Sequence, residues 1–147
     1  MEWTVEYTDE FEVWWSALSE QEQIEIDAKV RLLQERGPTL PRPHSDVITQ
    51  SKHPNMKELR GKVDIAGGAA RHLRVLYAFD PNRTALLLIG GDKSGNPGWY
   101  DQFVPLADRL LDQHLQAIEH EASEKEHRER KRQRSAEHGK KLQRPKK

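Results

Sequence analysis

The stretch MKELRGKVDIAGGAARHLRVLYAFDPNRTALLLIGGDKSG, residues 56–95, decides how this chain folds. It opens with a short basic strand ending at Arg60, then a turn rich in glycine and alanine. An alternating strand covers 72–79, the turn Asp80-Pro81-Asn82 follows, and an apolar strand at 85–89 runs into the glycine loop 90–95. Proline presets φ while Asn and Asp side chains close the turn, so this spacing predicts a hairpin. A period of two puts Leu73, Val75, Tyr77 and Phe79 on one face and His72, Arg74 and Leu76 on the other. An arginine in the middle of such a strand fits either a rim residue paired with a carboxylate or a residue facing a ligand.

Working outward, Trp3-Thr4-Val5-Glu6-Tyr7 alternates and predicts a first strand. Thr8 or Asp9 can cap the next helix, with Asp9, Glu10 and Glu12 suited to its first turn. Phe11, Trp14, Trp15 and Leu18 have helical spacing, and Ser19-Glu20 opens a second helix. Its apolar stripe combines Ile24, Ala28 and Leu32 with Ile26, Val30 and Leu33, and Gly37-Pro38 is its stop. Residues 37–55 contain four prolines and no periodicity, so they read as an ordered loop or a short strand crossing. Trp99, Tyr100 and Phe103 precede a final amphipathic helix at about 106–118.

With 147 residues the chain is large enough for one domain with a proper core, assigned to 1–118, plus a tail. Residues 119–147 are nearly devoid of apolar side chains and are expected to be a frayed helical extension passing into a disordered basic tail, able to add RNA affinity through counterion release. There are no cysteines, hence no disulfides or thiolate metal sites, which fits a reducing cytosol. The acidic N-terminus and the lack of a long apolar run argue against a signal peptide or a membrane span. Formal charge is zero overall but unevenly spread: −7 over residues 1–50, +4 over 52–93 and +5 over 119–147. A basic central sheet beside an acidic helical half suits a polyanionic ligand on one side. The fold class is α+β: a β-α-α-β-β-β-α sandwich, mostly antiparallel, with a helix pair on one face, a C-terminal helix, and the Arg74 face partly open.

The runs MKELRG, ARHLRVLYAFDP, LLLIGGDKSGN, WY and PLADRLLDQHL resemble the RelE/HigB superfamily of bacterial toxins, in its phage-derived HigB-like branch. EFEVWWSAL, LLQERGPTLPRP and SKHPNMKELR extend the likeness over about residues 3–115. The resemblance implies the RelE-like form of that sandwich and a cytoplasmic toxin silenced by a cognate helix-turn-helix antitoxin. It implies a metal-independent endoribonuclease that cuts mRNA on the ribosome, with no cofactor, metal or membrane partner. Two other readings stay open: a ParE-like inhibitor of DNA gyrase without nuclease activity, and a degenerate relative that does not cleave.

RNA cleavage by 2′-OH attack needs a proton acceptor, a proton donor for the leaving 5′-oxygen, and cations around the phosphorane. The resemblance places phosphate-binding arginines at Arg60 and Arg74 and a loop lysine at Lys93; where many relatives carry a second lysine, this chain has Ser94. For the acid/base role Tyr100, His114 and His72 compete, and Tyr100 is the assigned catalytic residue beside Arg60, Arg74 and Lys93. Arg71 and His72, at a strand entrance, are RNA-binding candidates. Lys57 joins them, although it lies on the strand face opposite Glu58 and Arg60. Gly90, Gly91 and Gly95 fit either a close backbone approach to phosphate or a plain turn.

Overall fold

A computed structural model of the chain describes residues 2–143, with side chains described for 2–137. In order it contains β1 (Thr4–Tyr7), α1 (Asp9–Ser16), α2 (Glu20–Arg36), a 3-10 turn (Gly37–Thr39), β2 (Ser45–Val47), β3 (Lys57–Val63), β4 (Arg71–Phe79), β5 (Thr84–Asp92) and α3 (Trp99–Gln143). The strands form one sheet in the order β1-β5-β4-β3-β2. Every pairing is antiparallel except β1 with β5. The α1–α2 hairpin carries the chain from β1 at one edge of the sheet to β2 at the other, and the parallel partner β5 follows only after β3 and β4. The chain divides into two compact units, Met1–Leu111 and Asp112–Lys147.

Local chemistry explains the helix boundaries. Thr8 caps α1, its hydroxyl accepting from the Phe11 amide at 3.0 Å and donating to the Leu88 carbonyl at 2.6 Å, which ties the helix start to β5. Ser19 and Glu22 form a reciprocal capping box at α2. That helix ends at Gly37, in the left-handed region with φ of 56°. Its apolar stripe is narrower than its sequence suggests: Ile26 and Leu33 are fully buried, while Ile24 is 63% exposed.

Both sheet faces are covered within the first unit. On one, Leu59, Val63, Leu73, Val75, Tyr77, Ala85 and Leu87 pack with Phe11, Ile26 and Leu33 of the helix pair. The other face, expected to be partly open, lies under the first turns of α3. There the Asp108 carboxylate accepts from the Ser51 hydroxyl and, at 3.2 Å, from the Lys52 amide. Trp99, Val104, Ala107, Leu110 and Leu111 are buried with Met56, Leu76, Ala78 and Leu86. Among the described residues, the β3–β4 corner around Arg60 and the β1 edge at Thr4 and Glu6 stay accessible on this face.

Four elements differ from the sequence expectation. β2 adds a fifth strand from the proline-rich segment, held by pairing with β3 alone. β3 continues past Arg60 to Val63, and β5 continues through Gly90 and Gly91. These two glycines are packing positions. A Cβ at Gly90 would stand 2.2 Å from the Trp14 ring, and one at Gly91 would stand 2.5 Å from Trp99 Nε1. The missing side chains thus let one indole settle on each face of β5. Finally, α3 starts at Trp99 and runs through Pro105 to Gln143, so residues 119–143 are helical; 144–147 lie outside the described residues.

The buried Tyr77 hydroxyl and Ser45 Oγ lie 2.5 Å apart, joining β4 to β2 across β3. Burial pushes the Tyr77 phenol up to about 12, with the Ser45 bond acting weakly the other way. The unfolded chain loses this proton near the ordinary value of 10.0 and the fold keeps it to about 12. Between those limits the unfolded state binds fewer protons, so stability falls as pH rises, by on the order of 2–3 kcal/mol in all. Chemical denaturation of Tyr77→Phe should lack that alkaline slope. It should also show a loss of about 1–3 kcal/mol at neutral pH, because the Ser45 hydroxyl is stranded.

Candidate functional site

The β3–β4 register sets Arg60 directly opposite Arg74, and Glu58 opposite Leu76, on the α3-covered face. Two arginines facing each other across an antiparallel pair repel. The structure answers this with Glu58, which is 2% exposed. One carboxylate oxygen accepts from Arg60 Nε at 3.0 Å. The other accepts from the Tyr100 hydroxyl at 2.6 Å and stands 3.7 Å from Arg74 Nε. Arg60 also donates to Asp46 at 3.0 Å, and Arg42 pairs with the same carboxylate at 2.8 Å. The Arg42 bond, chief among these contacts, holds Asp46 below the usual carboxylate range.

Arg74 is not on an open face. It is 7% exposed and donates to the Leu73 carbonyl at 2.9 Å. Its Nε has no hydrogen-bond partner among the described residues. Lys93 completes the corner, its ammonium 5.7 Å from the Tyr100 ring centroid. Burial and then the Arg74 guanidinium lower its pKa, against the opposing pull of Glu58. Burial and the Glu58 bond raise that of Tyr100, whose hydroxyl therefore stays protonated at neutral pH.

Of the sequence-assigned residues, Arg60, Arg74, Lys93 and Tyr100 come together here. His72 stands opposite Lys62 on the same face, one strand period from Arg74, with its amide bonded to Ser94 Oγ at 2.8 Å. Two others are drawn elsewhere. Arg71 pairs with buried Glu22 at the start of α2, at 3.1 Å. Lys57 donates to the Pro38 carbonyl at 3.0 Å and lies over the Phe79 ring, on the helix-pair side. His114 falls in the second unit. Glu58 has no assigned role in the sequence reading and turns out to be the centre of the cluster. Its signal was available: a carboxylate one strand period from Arg60, across from the strand that carries Arg74.

The arrangement supplies a buried carboxylate, a protonated tyrosine in contact with it, two guanidiniums and a lysine of lowered proton affinity. Residues 13–112 match the model of the phage-derived Gp49-like proteins (DUF891). The chain belongs to this Gp49-like family. A Mycobacterium tuberculosis protein carrying the toxin name HigB3 is 43% identical over 110 residues, which cover 74% of this chain and 90% of that protein. A second from the same organism, with the toxin name HigB2, is 35% identical over 119 residues, or 80% of this chain and 56% of the relative's length. Among solved structures, a free arginine-to-alanine mutant of E. coli toxin RelE overlays with a TM-score of 0.44 at 10% identity, covering 67% of this chain and 92% of that one. The Gp49-like match contains every member of the Glu58 cluster.

The two arginines should respond differently to truncation. Arg60, half-buried at the rim, should leave the fold intact as Arg60→Ala. Arg74→Ala opens a cavity and removes a cation facing a buried carboxylate, a class of change worth 3–5 kcal/mol. Urea melts of the two variants, compared with the parent, check this ordering; an Arg74→Ala melt equal to the parent would show that Glu58 does not depend on Arg74.

Proposed function

We propose that this Gp49-like protein is the toxin of a toxin–antitoxin pair and a metal-independent endoribonuclease cutting mRNA on the ribosome. The observation that carries the reading is the Tyr100–Glu58 contact flanked by Arg60, Arg74 and Lys93. Three cations, Arg60, Arg74 and Lys93, stand around this contact and suit a phosphate that gains charge. The relatives' toxin names support the biological role, and a toxin of this kind needs a cognate antitoxin as its partner.

Chemically, the substrate 2′-oxygen attacks the adjacent phosphorus and the bond from phosphorus to the 5′-oxygen breaks. Tyr100 takes the 2′-OH proton as its own proton passes to Glu58. Lys93, a better acid than an ordinary lysine, protonates the leaving 5′-oxygen. Arg60 and Arg74 stabilise the charge that develops on the phosphorane. The products are a 2′,3′-cyclic phosphate and a 5′-hydroxyl. With so compact a corner, alignment of the 2′-OH falls to the ribosome, a positioning effect of up to roughly 7–11 kcal/mol in intramolecular reactions.

Purified chain in a translating extract should cut message at discrete positions and leave naked mRNA largely whole. Tyr100→Phe and Glu58→Gln should each slow cleavage by on the order of 10²–10⁴, and Arg60→Ala by 10²–10³. Intact message together with blocked plasmid supercoiling would replace this reading with gyrase inhibition.

The pH profile isolates Lys93. As the acid it must be protonated, so cleavage should fall as pH rises through a value below the ordinary 10.5. Across that window the unfolded chain binds more protons than the fold at Lys93, so this group makes the fold more stable as pH rises. Loss of rate there cannot come from Lys93-linked unfolding. Single-turnover rates of Lys93→Arg should lack the limb; an unchanged limb would remove Lys93 from the acid role.

A further inference from the structure

The second unit lies almost wholly outside the Gp49-like match, which ends at residue 112. Its helix is charged in two blocks. Residues 119–126 carry Glu119, Glu121, Glu124 and Glu126 against Lys125, and residues 128–134 carry Arg128, Arg130, Lys131, Arg132 and Arg134 against Glu129. The cations are not equivalent. Arg128 is bridged to Glu124 at 3.9 Å and Arg130 to Glu126 at 2.6 Å, both in the i,i+4 arrangement that supports a solvated helix. Lys131 and Arg132 take part in no ion pair among the described residues.

Helical periodicity sorts these side chains further. Arg128, Lys131, Arg132 and Ser135 follow the i, i+3, i+4, i+7 pattern of one face and together line a shallow concavity. Arg130 and Arg134 point away from it. Arg128 and Arg132 are separated by about 6 Å along the axis at about 1.5 Å per residue, a separation that neighbouring phosphates of one RNA strand match. Among residues 119–137 only Ala122 and Ala136 are apolar, so the helix has no face with which to enter a membrane.

We propose that Arg128, Lys131 and Arg132 form a phosphate-binding face that holds RNA by its backbone. The choice of RNA as the polyanion rests on the function proposed above; the face itself rests on the helix. Arg128 contributes by exchanging Glu124 for phosphate, and Ser135 adds a hydroxyl donor. Contacts of this kind are sequence-independent and weaken steeply with salt.

Two charge-matched double variants of the full chain test the proposal: Lys131→Gln with Arg132→Gln on the face, and Arg130→Gln with Arg134→Gln off it. The probe is a fluorescent oligouridylate read by anisotropy across a salt series, so no cleavage enters the readout and failure of the nuclease reading stays distinguishable. The face variant should bind several-fold more weakly at low salt, with a log–log salt slope shallower by about 1.4, from roughly 0.7 for each phosphate lost. The off-face variant should stay within about twofold of the parent. Glutamine keeps good helix propensity, and the same positions changed to alanine should reproduce the loss with equal helicity by circular dichroism. Equal weakening by both doubles, or no weakening by the face double, overturns the proposal. Tighter binding of labelled polyglutamate than of oligouridylate through Lys131 and Arg132 reassigns the face to an acidic protein. Sedimentation with ribosomes, loaded with message or empty, then identifies mRNA or ribosomal RNA as the source of the phosphates.

Discussion

A carboxylate with almost no access to water holds together two arginines that strand pairing forces opposite one another. Register leaves Arg60 and Arg74 no choice of partner, because sliding β3 by one residue would turn Leu59 and Val63 out of the core. Glu58 stands on the same face one strand period away, so the charge balance is built into β3 itself. At an effective dielectric of about 20 a unit pair at 4 Å is worth about 4 kcal/mol, comparable to the cost of taking each ion out of water. The cluster is therefore close to neutral as a whole and costly to break one partner at a time. Tyr100 is part of that balance, since its hydroxyl occupies the Glu58 oxygen that faces Arg74.

That dependence explains why α3 begins where it does. The first turn must bring Tyr100 to Glu58, and it can do so only if Trp99 comes down on β5. Gly91 permits the approach, and Gly90 permits the matching approach of Trp14 from the other face. Thr8 fixes α1 against Leu88 in the same region. The end of β5 is thus clamped between two helices. Lys93, just beyond that end, is placed by backbone bonding of its amide to the His72 carbonyl at 3.0 Å rather than by a flexible loop.

Local features of this fold were legible from residue order: the Asp80 turn, where that side chain accepts from the amides of Asn82 and Thr84, the Thr8 and Ser19 caps, and the alternation of β4. These signals work because donor and acceptor lie within a few residues. β2 escaped because three residues have no period of their own and exist as a strand only through β3. The glycines of β5 read as a loop because composition alone cannot reveal an indole arriving from 76 positions earlier in the sequence, as Trp14 does at Gly90. Of the candidate site residues, Arg60, Arg74, Lys93 and Tyr100 stand together in one corner. Arg71, a candidate for its place at a strand entrance, and Lys57 have Glu22 and the Pro38 carbonyl as partners in the fold. Glu58 was hidden for the opposite reason. A lone acid among bases reads as a solvated charge until pairing shows what stands across from it.

Burial divides the site into two layers, and the division constrains how it can work. Glu58 and Arg74 form the floor, while Arg60, Lys93 and Tyr100 are only partly covered. On the proposed function, RNA would meet the outer three and reach the floor through Tyr100 and Arg60. A proton delivered to Glu58 would weaken its hold on both guanidiniums at once, freeing them to turn toward negative charge on the phosphorane. Charge that the fold neutralises at rest would then become available as the scissile phosphate gains it, so in the proposed chemistry the stability of β3–β4 pairing and the strength of phosphate stabilisation would draw on the same carboxylate.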